Sequence, residues 1–234
     1  MKYFLGIFLG LFSTMGHTQD CVILLHGLAR TAASMNTLEQ QLAAAGYYAI
    51  NINYPSRQHA IEELAPLAIE AGLEQCQTKA PEKIHFVTHS LGGILVRYYL
   101  QQNTLDNLGH TVMLGPPNQG SEVVDKLKTT PGFYALNGPA GMQLGTTATD
   151  TPNTMGPANF SVGIIAGTRS INLMLSTLIP GVDDGKVAVA RTHLENETDF
   201  ISLPVTHPLM MNNAEVIRQT LYFLENGYFL RVKE

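Results

Sequence analysis

Apolar residues along this chain keep two rhythms. Unbroken short runs lie at 22–25, 47–53, 84–88, 111–114, 162–166 and 200–204. Between them apolar side chains recur at helical spacing over 34–45, 61–75, 91–102, 121–128 and 213–226. A run with no polar alternation suits a strand covered on both faces, and the periodic stretches supply the covering helices. The alternation predicts an α/β fold: a doubly wound, mostly parallel sheet of about six strands, with ligand chemistry at the C-terminal edge. Segment 129–159 breaks the rhythm. It is rich in Gly, Pro, Thr and Asn, with only scattered apolar residues such as Phe133, Tyr134, Leu136, Met142 and Leu144. That is too long for a plain connection, and it follows the C-terminal end of a strand, so it reads as a cap over the site.

Length, charge and cysteines refine this picture. The 234 residues suffice for one α/β domain with a substantial core, read as 19–234. Charged residues make up 14% of the chain, the formal net charge is −5 and no block of like charge occurs, which leaves nothing resembling a nucleic-acid footprint. The first residues run Lys2, then apolar 3–12, then small and polar 13–19. This is the grammar of an export signal over 1–18, cleaved near Thr18, and it predicts a periplasmic or secreted protein. About ten apolar residues are too few to span a bilayer. In an oxidising compartment two cysteines tend to pair. Cys21 opens the first strand run and Cys76 closes a helical run, which puts both on the rim opposite the catalytic edge and predicts a Cys21–Cys76 disulfide.

The chemistry centres on Thr88-His89-Ser90-Leu91-Gly92-Gly93, between a strand run and a helical run. A serine there, followed by glycines, suits a turn tight enough to lift its oxygen out of the sheet and to aim a helix N-terminus at the reacting atom. The usual spacing has glycine two residues before the serine, where this chain has Thr88. Serine needs an imidazole as base, and the imidazole needs a carboxylate to hold its tautomer; where the serine stands on such a strand-to-helix turn, the chain order is Ser, acid, His. Of eight histidines only His193 and His207 come late enough. His207 lies just past the last strand run and before the final helix, and is the candidate base; His193, among Arg191, Glu195 and Glu197, reads as a surface residue. The first carboxylates after the fifth strand are Asp183 and Asp184. Asp184 is favoured, because Gly185 lets the backbone bend, with Asp183 second. No oxygen-ligand pattern surrounds the two, so no metal is expected, and no motif calls for a cofactor. The backbone N–H of Leu91 and that of Leu28, in His26-Gly27-Leu28-Ala29-Arg30-Thr31, are the candidate oxyanion donors, with His26 ordering that turn.

Taken together, His26 to Thr31, the elbow at Ser90, the run Gly115-Pro116-Pro117-Asn118-Gln119-Gly120-Ser121 and Asp183-Asp184-Gly185-Lys186-Val187 resemble bacterial lipases and esterases of the α/β-hydrolase superfamily. The resemblance covers the chain from Cys21 to about Gly227 and is closest to the compact lipases. It implies the α/β-hydrolase fold, an oxyanion-hole N–H at Leu28 and a triad acid at Asp184. It also implies hydrolysis of carboxylic esters through an acyl-enzyme on Ser90. The expected substrate is a small-molecule ester or lipid, with transient contact to a lipid surface and no obligate protein partner. An acyltransferase would use the same triad, and other hydrolases of the fold cut amide, thioester or carbon–carbon bonds. A binding protein that keeps the fold without catalysis is the reading from a different class.

Overall fold

The computed structural model describes residues 19–231; the expected export signal at 1–18 lies outside them. Six strands form one sheet: β1 (Cys21–Leu25), β2 (Tyr48–Ile52), β3 (Ile84–His89), β4 (Leu108–Leu114), β5 (Val162–Gly167) and β6 (Asp199–Leu203). Their order is β2-β1-β3-β4-β5-β6 and every pairing is parallel. Longer helices are α1 (Asn36–Ala44), α2 (Ile61–Gln77), α3 (Leu91–Gln102), α4 (Glu122–Leu127) and α5 (Phe133–Met142). Three one-turn helices follow, α6 (Thr151–Thr154), α7 (Leu173–Ser176) and α8 (Val189–Thr192), before the long α9 (Ala214–Asn226). Among the described residues no helix is long and apolar enough to cross a membrane.

The unbroken apolar runs are explained by two-sided burial. Along β1, Cys21, Ile23 and Leu25 pack with α2 and α3, whereas Val22 and Leu24 pack with α1 and α9. Side chains on a strand alternate between faces, so only an apolar residue at every position satisfies both layers. α9 shows the complementary pattern, burying Val216, Ile217, Thr220, Phe223 and Leu224 on one stripe. Asn213 caps it, its side chain accepting from the N–H groups of Glu215 and Val216, and Gly227 ends it in the left-handed conformation.

Several boundaries differ from the sequence reading. The fourth strand begins three residues earlier than the apolar run at 111–114, because Leu108 pairs with Ile84 of β3 beyond an irregularity in the ladder. The first helix is split, a 3-10 turn at Ala32–Met35 preceding α1. Helix α2 runs to Gln77, two residues past the periodic stretch, and Cys76 closes it from within its last turn. It still reaches Cys21 at the start of β1, and the two form a disulfide with their Cα atoms 5.8 Å apart.

The strand order decides where a site can form. The chain leaves β1 toward β2 and then returns across β1 to β3, so the connections after β1 and β3 diverge and leave a crevice between them. Segment 129–159 folds over the same edge as α5 and α6. Ile61 N–H donates to Gln143 Oε1 (2.8 Å), and Asp125 accepts from the Thr146 N–H and hydroxyl. At Gly138 (φ 65°) a Cβ would come 1.9 Å from the Arg57 carbonyl oxygen, so glycine is what lets this segment seat against the loop after β2.

Candidate active site

Ser90 follows β3 directly and precedes the first residue of α3. Its backbone stands at φ 52°, ψ −117°, a region that a side-chain-bearing residue occupies at a cost of about 1–3 kcal/mol. Close packing on both sides holds it there. The Ser90 N–H donates to the Leu114 carbonyl (2.9 Å). A Cβ on Gly92 would lie 2.6 Å from the Leu25 carbonyl oxygen, and one on Gly27 would lie 2.7 Å from His89 Nδ1. The threonine two residues before the serine is accommodated by Gly93. Thr88 is fully buried, and a Cβ on Gly93 would come 3.3 Å from its Oγ1 and 3.2 Å from Met113 Sδ. The bulk moved from one side of the turn is removed from the other.

Asp184 and His207 meet through tertiary structure alone. Asp184 Oδ2 is 2.7 Å from His207 Nδ1, and a carboxylate can only accept, so Nδ1 carries the hydrogen. Asp184 Oδ1 accepts from the N–H groups of Lys186 (3.0 Å) and Val187 (2.9 Å), and the His207 N–H donates to the Asp184 carbonyl (2.9 Å). The carboxylate is 1% exposed and fully hydrogen-bonded. Asp183 faces elsewhere: its Oδ1 accepts from the Ser176 hydroxyl and the Gly185 N–H. His193 is likewise apart, stacked on Phe200 and bonded to Glu197.

Leu28 sits in the turn after β1, braced from behind. His26 Nδ1–H donates to the Gly27 carbonyl (2.9 Å), its ring stacks on Tyr54 at 4.1 Å, and the Tyr54 hydroxyl donates to the His26 carbonyl. Burial lowers the His26 pKa, against the opposing hydrogen bonds to Gly27 and Tyr54. Ala29 N–H donates to Ser56 Oγ (3.1 Å), which ties the turn to the next loop.

Ser90, Asp184, His207 and Leu28 line one cavity of about 450 Å³ at the C-terminal edge of the sheet. Leu28, Val123, Val124, Phe133 and Leu144 give it an apolar wall, and Phe133, Asn137 and Leu144 come from the 129–159 segment. A larger cavity of about 580 Å³ opens on the opposite rim around Asp20, His85 and His110. It contains none of these residues.

Three residues hold places around the site that the sequence reading did not assign. Gly115 (φ 54°) lies beneath the Asp–His pair, where a Cβ would be 3.0 Å from Asp184 Oδ2 and 3.1 Å from His207 Nδ1. Its place at the end of an apolar run was the available signal. His89 is buried and its Nε2 lies 3.0 Å from the His207 carbonyl oxygen, a donor holding that backbone in place. Burial first, then His207, keeps its pKa well below the ordinary histidine value. Arg97 is buried in α3, donating to carbonyls of Asn118, Pro152 and Gly156. Burial brings its pKa down to about 10. An arginine amid apolar helix positions hinted at this anchor, but its partners are remote in sequence.

An all-parallel sheet of this order, with a serine on a strained turn and an Asp–His pair lining one cavity, is the architecture of the α/β-hydrolase fold. The chain belongs to the palmitoyl protein thioesterase family, whose sequence model matches residues 21–159. Solved structures share the fold. The mature Bacillus licheniformis lipase BlEst2 is 20% identical, with a TM-score of 0.66, over 88% of this chain and 89% of that one. Staphylococcus hyicus lipase is 13% identical, with a TM-score of 0.60, over 88% and 92%. A thermophilic esterase from Thermogutta terrifontis is 13% identical, with a TM-score of 0.57, over 90% and 91%. At these identities the likeness is one of fold. A comparison with the sequences of curated proteins finds no match.

Proposed function

We propose that the protein is an exported serine hydrolase that cleaves carboxylic esters through an acyl-enzyme on Ser90. The observation that carries this reading is the cavity shared by a serine at positive φ and a histidine already oriented by a buried carboxylate. His207 Nε2, unprotonated while Nδ1–H is bonded to Asp184, takes the Ser90 hydroxyl proton as Oγ attacks the ester carbonyl carbon. Asp184 stabilises the imidazolium so formed. Negative charge developing on the carbonyl oxygen is met by the N–H groups of Leu28 and Leu91, the second at the N-terminus of the 12-residue α3. Collapse of the tetrahedral species breaks the bond to the alcohol oxygen, which takes the proton from His207. Water then repeats the sequence and releases the acid, restoring Ser90.

In this scheme residues 129–159 act as a cap whose apolar side receives the acyl chain. Export is supported by the Cys21–Cys76 disulfide together with the signal-like segment at 1–18. Family membership favours a second substrate class, acyl thioesters, because thioester and oxygen-ester cleavage need the same groups and differ in the leaving atom. The test is hydrolysis of p-nitrophenyl esters of increasing chain length beside S-acyl thioesters, by the parent and by Ser90→Ala. The expected loss on substitution is about four orders of magnitude or more. Turnover by Ser90→Ala at the parental rate would overturn the mechanism.

A further inference from the structure

The charges lining the candidate cavity are out of keeping with the rest of the molecule. The whole chain carries a formal charge of −5. Yet the ionised groups around the cavity are Arg30, Lys186 and Asp184, and Asp184 is consumed by His207 and two backbone N–H groups. Arg30 follows the Leu28 turn and Lys186 follows the Asp184 turn, so both cations stand at the mouth beside the serine, exposed to solvent. Among the described residues Lys128, Arg191, Arg218 and Arg231 each meet a carboxylate, whereas Arg57, Lys83, Lys126 and Arg169 do not; what distinguishes Arg30 and Lys186 is that both line the cavity of Ser90. Among the described residues neither Arg30 nor Lys186 has a carboxylate within ion-pair distance or a side-chain hydrogen bond. They are near enough to oppose each other: partial burial and then Arg30 lower the Lys186 pKa, with Asp184 acting the other way. Arg30 and Lys186 line the same cavity as Ser90 and His207.

Two cations without carboxylate partners beside an apolar wall suit an amphiphile with an anionic end. We propose that Arg30 and Lys186 form an anion subsite that selects esters whose alcohol or thiol portion carries a phosphate or carboxylate, the acyl chain lying along Leu28, Val124, Phe133 and Leu144. This rests on the ester-hydrolase reading and adds the substrate class to it. A guanidinium offers a fork of donors to a phosphate and an ammonium adds a point charge, so the pair holds one anion between them. An anion so bound relieves the repulsion between the cations and presents the ester carbonyl to Ser90.

The experiment compares the hexanoyl ester of glycerol with those of glycerol 3-phosphate and glycerate, which share acyl chain and alkoxide and differ in charge. Across a few ångströms of water-exposed space each cation contributes about fivefold to kcat/KM for the anionic ester. The parent is expected to favour an anionic ester by about 25-fold at low ionic strength, with the advantage shrinking at 0.5 M salt as the charges are screened. Preference for the phosphate or the glycerate ester identifies the anion. Arg30→Gln and Lys186→Gln should each lower the anionic-to-neutral ratio about fivefold. A second readout is calorimetric binding of hexyl phosphate to the Ser90→Ala protein, weakened at least tenfold by the double Arg30→Gln, Lys186→Gln change. Equal kcat/KM for neutral and anionic esters, or a ratio that neither variant moves, would overturn the subsite. Ester turnover surviving in Ser90→Ala would instead sink the catalytic reading, while hexyl phosphate binding would still report on the subsite.

Discussion

Gly115→Ala adds one methyl group beneath the Asp184–His207 pair, and its consequences follow from the packing. The residue sits at φ 54°, where a side chain costs about 1 kcal/mol or more. The new Cβ would stand 3.0 Å from Asp184 Oδ2, 3.0 Å from Met210 Sδ and 3.1 Å from His207 Nδ1, a few tenths of an ångström inside ordinary contact with all three. Overpacking of this kind costs a further 1–3 kcal/mol or so. The sum, about 2–4 kcal/mol, lowers Tm by roughly 4 to 16 °C in a chain of this size. Relief of the overlap shifts the imidazole relative to Ser90, and a displacement of a few tenths of an ångström should reduce kcat about tenfold with KM little changed. Gly46→Ala is the control, because Gly46 has φ 97° with no atom within 4 Å of a Cβ. It bears the backbone cost without touching the pair. The assay is kcat and KM on p-nitrophenyl butyrate beside thermal denaturation of both variants. If Gly115→Ala kept the parental kcat and matched Gly46→Ala in Tm, the packing argument would be refuted.

Replacing both cysteines by serine opens a loop closed over 55 residues and should cost about 4 kcal/mol by the chain-entropy relation, read as a lower urea midpoint with kcat unchanged. A parental midpoint would show the bridge to be idle. Arg97→Met leaves the carbonyls of Asn118, Pro152 and Gly156 without their donor and should destabilise by about 2–3 kcal/mol; an unchanged urea midpoint would contradict this. Burial is the leading cause of the lowered pKa values of His26, His85 and His89, so the unfolded chain binds more protons than the native state below about pH 6.5. Stability should therefore fall as pH drops through that value, by up to about 1.4 kcal/mol per pH unit for each histidine, until the lowered native pKa is reached. Equal urea midpoints at pH 7 and pH 5 would rule out this origin of acid sensitivity.

Legibility in the sequence followed the range of the interaction. The runs at 22–25 and 162–166 fell within β1 and β5, because a strand buried on both faces must be apolar at every position. Ser90 was legible because a turn of that geometry is a local demand, met by Gly92 and Gly93 in adjacent positions. Thr88 looked like a departure until Gly93 proved to lie across from it. The start of β4 and the split before α1 were not legible, since a polar His110 at an irregularity in the ladder and a tight turn before a helix leave no change of period to read. His89 and Arg97 were opaque for another reason. Their partners are His207, Asn118, Pro152 and Gly156, which lie 21 to 118 residues away in the chain.

The sequence by itself determined the class of fold, the serine turn after β3 and the order of Ser90, Asp184 and His207 along the chain, because each is written in local pattern. Tertiary structure alone decided which aspartate meets His207, since Asp183 and Asp184 are neighbours with the same chemistry and only the turn they share aims one inward. It also decided that two unpaired cations flank the cavity, since charge balance is a property of space and not of sequence. The physical reason is common to both: side-chain direction depends on how remote segments pack, and no periodicity records it.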